Sequence, residues 1–141
     1  MEISPVYPCL WFDGNAIEAV EFYCSIFPDS KIVSQNPFVV IFHIKNTKFM
    51  ALNGGPEYKF NGAISFVVNC NNQQEIDYFW EKLSSGGQIG KCGWLQDKFG
   101  VSWQIVPTIL GKLMNNPDKA PKVMFEFMQM TKFDIEKLLK I

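Results

Sequence analysis

The sequence predicts an α+β fold: two βαβββ modules forming a concave sheet, followed by C-terminal helices. One observation is that a strand, a helix and a set of strands follow one another twice along the 141 residues. A second is that sliding the first half forward by 57 positions needs no gap. Val6 then falls on Ala63, Glu18 on Glu75, Phe22 on Phe79, Tyr23 on Trp80 and Ile26 on Leu83. A third is physical. One such unit leaves a bare sheet face, and two side by side enclose it and leave a cavity. The expected layout is one domain, with module one at about 4–56, module two at about 62–107 and a helical tail at 108–141.

Each element has its own signal. Val6–Phe12 reads as a short buried strand ending at the turn pair Asp13-Gly14. Asn15 is placed to cap a helix, with Glu18 completing a capping box. Ala16, Ala19, Val20, Tyr23, Ile26 and Phe27 recur at helical spacing, and Pro28 stops the helix. Strands follow at Lys31–Val33, Phe38–Ile44 and Lys48–Leu52. Ala63–Asn69 is a strand of β-branched and aromatic residues. Asn71 and Asn72 offer a cap for a helix with Ile76, Phe79, Trp80 and Leu83 on one face, ended by Gly86-Gly87. Gln88–Cys92, a segment at Trp94 and Val101–Val106 complete the second set of strands. In the tail, Thr108–Asn115, Pro121–Met130 and Asp134–Leu139 read as helical, with Met124, Phe127 and Met128 as core candidates.

Composition excludes several function classes. A hydrophobic fraction of 48% with 15% aromatics argues against disorder. Net charge is −1 and the basic residues are scattered, which argues against nucleic acid. No run reaches the roughly 20 apolar residues of a membrane span, and no apolar signal segment precedes the fold. Cys9, Cys24, Cys70 and Cys92 form no CxxC pair, so reduced thiols and a cytoplasmic location are expected.

Several stretches resemble the PhnB-like branch of the glyoxalase/bleomycin-resistance (vicinal oxygen chelate) superfamily. They are Pro8-Cys-Leu-Trp-Phe-Asp-Gly14, Ala19-Val-Glu-Phe-Tyr23, Ile26-Phe-Pro28 and Phe49-Met-Ala-Leu-Asn-Gly-Gly-Pro56. The longest runs from Cys92 to Pro107, and Met130–Ile135 resembles the family's ending. The resemblance implies paired glyoxalase-like modules and a homodimer. It departs at Lys31–Phe38, which is shorter than the corresponding segment of relatives. Relatives often carry the label 3-demethylubiquinone-9 3-methyltransferase. That activity is not expected here, because the nearest Gly-rich turn, Asn53-Gly54-Gly55, precedes Pro56 and no helix pattern follows.

The resemblance also implies where a metal would sit. Superfamily enzymes use His, Glu or Gln at the starts of the two opening strands and near the ends of the two closing ones. Those positions fall here on Val6, Ala63, Ala51 and Gln104, and only Gln104 could donate. A slip of one or two residues brings in Tyr7, Pro8, Ile64, Ser65 or Asn53, which rebuild no strong site. No metal or other cofactor is therefore expected.

What remains is a candidate pocket for an unidentified small molecule. Trp11, Phe49, Phe66, Trp94 and Trp103 are candidate wall residues, although a strand aromatic is more often core. Gln104 and Asn53 are candidate polar contacts. Gln104 and Asp97 are the weak catalytic candidates, with Asp97-Lys98 equally readable as a turn. Cys9 and Cys92 read as inert thiols, and His43 as a structural strand residue. The functional reading is a metal-free, ligand-binding PhnB-like protein. The alternatives are an enzyme of lyase, isomerase or dioxygenase type, and a structural or regulatory dimer without ligand.

Overall fold

Helix α1 (Ala16–Ile26) forms because its apolar stripe has somewhere to go. Ala16, Ala19, Val20, Tyr23 and Ile26 are all buried. Burying each of the larger ones contributes about 1.5–3 kcal/mol. Its start differs from the sequence expectation. Asn15 makes no side-chain cap. Instead Asn53 Oδ1 accepts the Ala16 N–H at 2.9 Å, while Asn53 Nδ2 donates to Pro37 O at 3.0 Å. A residue distant in sequence does the work assigned to a local one.

The computed structural model describes residues 1–141. It divides into two units, Met1–Phe60 and Asn61–Ile141. The first holds β1 (Cys9–Phe12), α1, β2 (Ser30–Gln35), β3 (Val39–Ile44) and β4 (Thr47–Asn53). Its sheet runs β1-β4-β3-β2, with β1 parallel to β4 and the other pairs antiparallel. Val6, expected in the first strand, precedes it and is 94% exposed. The side of the sheet facing α1 is the core: Leu10, Phe12, Val40, Phe42, Phe49 and Ala51 are buried. Phe42 stacks on Phe49 at 5.2 Å and on Tyr23 at 6.3 Å. Cys9, Trp11, Ile41, His43, Lys48 and Met50 alternate with those residues and take the opposite, open face. The short Lys31–Phe38 segment is a complete strand and turn. Asn36 Oδ1 accepts the N–H groups of Phe38 and Val39 and reverses the chain into β3.

The second unit repeats the topology. It holds β5 (Ser65–Cys70), α2 (Gln73–Ser84), β6 (Gln88–Ile89), β7 (Trp94–Gln96) and β8 (Ser102–Pro107), in the order β5-β8-β7-β6. Here the local cap is made: Asn72 Oδ1 accepts the Glu75 N–H, and Glu75 Oε2 accepts the Asn71 N–H. Ile76 and Leu83 are fully buried beneath α2. The strand expected at Gln88–Cys92 ends at Ile89. Cys92 and Gly93 turn with φ of 57° and 79°, which breaks any ladder there.

Three helices complete the second unit: α3 (Ile109–Met114), α4 (Ala120–Phe127) and α5 (Ile135–Leu139). The tail is held by backbone bonds from the Cys92 and Gly93 N–H groups to Met130 O and Thr131 O, both 2.8 Å. Gln73 on α2 clamps it further, donating to Phe133 O and accepting the Ile135 N–H. The residues buried in the tail are Val123, Met130, Phe133 and Leu138. Of the expected core residues, Phe127 packs on Phe133 at 5.9 Å, but Met124 and Met128 are 45% and 59% exposed. Helix α4 is apolar on more than one side, so spacing could not choose the inward face.

The repeat also needs one correction. The 57-residue shift superimposes helix on helix, since Ala16 and Gln73 both open one. The opening strands match at 58 instead, because Phe12 and Cys70 both end a strand on its buried side. Asp13, Gly14 and Asn15 bridge the first strand to its helix, while only Asn71 and Asn72 bridge the second. A one-residue difference exchanges the two faces of a strand. Residues paired across the halves at 57 therefore point to opposite sides of their sheets.

Candidate functional site

The open face of the second sheet carries the candidate site. On β8 the half-buried Gln104 alternates with the buried Trp103 and Ile105, and Ser102, which shares its parity, is itself buried. Cross-strand partners share a face, so Gln104 stands beside Val67 on β5 and Trp94 on β7. Gln104 Nε2 donates to Ser65 Oγ at 2.9 Å. That bond fixes the amide and leaves its carbonyl oxygen without a protein donor. The Trp94 indole N–H likewise has no protein acceptor, and its ring is half-buried. Beside Trp94 a cleft of about 320 Å³ opens, lined also by Gln96, Ser102, Gln88, Ile89 and Gly62; Gln104 stands outside its lining. A flat ring with an uncommitted donor thus lies next to an uncommitted amide acceptor.

Most of the other candidates are placed elsewhere. Phe49 faces α1 and stacks on Phe42, so it is core rather than wall. Trp103 is 3% exposed on the α2 side, and Phe66 packs against it at 5.5 Å. Both belong to the packed face because their strand parity points them inward. Asn53 is spent on capping α1. Trp11 does lie on the open face of the first sheet, but it clasps the segment after β4. Its indole N–H donates to Gly55 O at 2.8 Å, and Tyr58 meets its ring edge-on at 4.9 Å. A Cβ on Gly54 would come within 2.3 Å of that ring, so only glycine fits beneath it.

Asp97 is also structural in its geometry. Its carboxylate accepts the N–H groups of Phe99 and Val101 at 2.9 and 3.0 Å and the Trp103 indole N–H at 2.9 Å. The residue is 3% exposed. A carboxylate used this fully pins the β7–β8 turn and is poorly placed to take a substrate proton. Lys98 next to it lays its ammonium over the Phe99 ring. The residues that spacing missed are Lys31 and Lys48, which β pairing sets on either side of His43. Only the register reveals that juxtaposition.

Comparison with known proteins fits this architecture. A family described as 3-demethylubiquinone-9 3-methyltransferase matches residues 4–106. The chain belongs to that PhnB-like family. A PhnB protein of Bacillus cereus that carries the same methyltransferase name is 31% identical, with a TM-score of 0.68 over 74% of this chain and 100% of that one. Protein PA1353 of Pseudomonas aeruginosa is 20% identical, with a TM-score of 0.62 over 74% and 98%. The fosfomycin resistance protein FosX of Listeria monocytogenes, solved with Mn(II) and sulfate, is 12% identical, with a TM-score of 0.60 over 82% and 98%. The last two share the glyoxalase-like fold. No curated protein matches the chain.

The metal positions of the superfamily can now be tested on this PhnB-like chain. Ala51 is fully buried against α1, and Val6 and Ala63 precede their strands. By strand pairing, Ser65 and Gln104 in the second unit correspond to Tyr7 and Met50 in the first. A phenol, a hydroxyl, a thioether and an amide lack the imidazole and carboxylate donors such ions need. Nowhere do three or more His, Cys, Asp or Glu side chains gather in metal-binding geometry. The residues present do not fit the group.

All four thiols of the PhnB-like chain are free. Burial, with the Glu75 carboxylate adding to it, pushes the Cys70 thiol up to about 12, which keeps it protonated and inert. On α2, the Lys132 ammonium and then the Gln73 amide hydrogen-bond to Asp77 and hold its carboxyl below the usual range. That ion pair spans 2.7 Å between side chains 41% and 50% exposed, so it adds little stability. No helix is long and apolar enough to cross a membrane.

Proposed function

We propose that the protein binds a small, flat organic molecule against Trp94 and Gln104 on the open face of the second sheet, without a divalent metal. One observation carries this reading: the amide acceptor of Gln104, oriented by Ser65, stands beside a half-buried indole with a free donor. A ligand offering an adjacent donor and acceptor, such as an amide or lactam edge, would satisfy both. The ring would supply stacking area in a cleft within the usual range for small ligands. The methyltransferase reaction in the family's description is not favoured. Asn53-Gly54-Gly55, the nearest Gly-rich turn, is committed to capping α1 and to passing beneath Trp11. The protein is read as a homodimer, with the exposed Met124 and Phe125 of α4 and the adjoining Met128 as apolar surface. Its four free thiols suit a reducing cytoplasm.

The test is mass spectrometry of the purified protein, released ligand being compared between wild type and the Gln104→Ala and Trp94→Ala variants. Wild type should release a small molecule that both folded variants lose. A wild-type protein that releases nothing, or variants that retain the molecule in full, would refute the reading.

A further inference from the structure

We propose that the open face of the first sheet holds a second, separate site, one that binds the oxyanion group of a small acid. The observation is a row of bases fixed by strand register. Lys31 on β2 stands directly opposite His43 on β3, and His43 stands directly opposite Lys48 on β4. Directly opposed residues share a face with Cβ atoms about 4.5–5.5 Å apart. Three basic side chains therefore lie side by side across three strands, in a chain with one histidine and 13 lysines and arginines. At the end of the row, the Lys48 ammonium sits 4.2 Å from the centre of the Tyr7 ring. That contact orders the ammonium on the β1 side of β4.

No carboxylate forms an ion pair with Lys31 or Lys48. The two ion pairs of the chain are Lys132–Asp77 and Lys140–Glu136, both in the other unit. His43 and Lys48 are half-buried, so water screens them less than it screens a fully exposed base. Beside the row, a cleft of about 300 Å³ is lined by Lys31, His43, Lys45, Ser30, Asp29 and Pro28. Asp29 is the one acidic group in that lining, and it forms no ion pair with the bases around it. An incoming carboxylate or phosphate oxygen in that cleft would find the Lys31 and Lys45 ammonium groups and the His43 imidazole in its lining, the donors that charge-assisted hydrogen bonds use. The register that creates the row is set by the core, since Phe42 and Phe49 pair directly on the other side of the same two strands. It draws on neither Trp94 nor Gln104, so either proposal can fail alone.

The experiment is a two-dimensional amide NMR titration of the whole chain with inorganic phosphate and, separately, with acetate. Ionic strength is held constant with sodium chloride. Saturable shifts should appear at Lys31, His43 and Lys48 and leave Trp94 and Gln104 unmoved. Saturation by phosphate alone assigns a phosphate-type ligand, and saturation by both assigns a site open to carboxylates. Lys31→Gln and Lys48→Gln should each weaken binding roughly two- to fivefold, as expected for a partly exposed ion pair. Asp29→Asn should tighten it, because it removes the competing charge. Shifts that track chloride equally, that never saturate, or that survive both lysine substitutions unchanged would overturn the proposal. These substitutions lie outside the packed core, and retention of the wild-type amide spectrum confirms that each variant is folded.

Discussion

At the residue scale, the side chains most easily mistaken for chemistry are the ones most heavily used for structure. Asp97 is the clearest case, because its carboxylate accepts three N–H groups in a 3% exposed position. Asp97→Ala would leave those donors, the Trp103 indole among them, without partners. The expected loss is about 3 kcal/mol or more, by the usual cost of buried unsatisfied groups. Urea denaturation followed by tryptophan fluorescence measures it, and a loss within experimental error would show that the turn stands without its carboxylate. The identity of Asp97, Trp103 and Gln104 was visible in sequence, but their directions were not. Residues 103 and 104 differ by one position and face opposite sides of the sheet. Alternation tells which residues share a side and leaves open which side is covered.

At the element scale, the two helices are started by different means. Asn72 caps α2 from within its own turn, whereas α1 takes its cap from Asn53 at the end of β4. Asn72→Ala and Asn53→Ala should each cost about 1 kcal/mol, while Asn15→Ala should cost only a few tenths. Chemical denaturation of the three variants decides this, and an Asn15 variant as damaged as the Asn53 variant would contradict the assignment. The helices and most strands were legible because apolar spacing and Asn, Gly and Pro punctuation are local signals. The strand at Gln88 was overextended, because Cys92 holds a positive φ that its side chain does not announce. The inward face of helix α4 was only partly read for a similar reason: Met124, Phe125, Phe127 and Met128 are all apolar, and only packing against Phe133 selects Phe127 among them.

At the scale of the whole molecule, the glyoxalase-like fold and the PhnB-like family frame the question of a metal. Val6, Ala51, Ala63 and Gln104, the positions the resemblance implies for ion-binding donors, include no imidazole and no carboxylate. Isothermal titration of the intact protein with manganese, nickel or zinc chloride should therefore give no saturable one-to-one heat. A stoichiometric isotherm that Gln104→Ala abolishes would restore the metal-dependent reading. The donor argument was available from sequence, since His43 is the chain's one histidine.

By itself the sequence determined the element types, the doubled βαβββ order and the poverty of metal donors, because each depends on residue identity and spacing along the chain. Tertiary structure decided which face each strand turns to the helix, where α1 finds its cap and which bases stand in one row. Those properties depend on pairing between distant segments, and a shift of a single residue there exchanges core for surface.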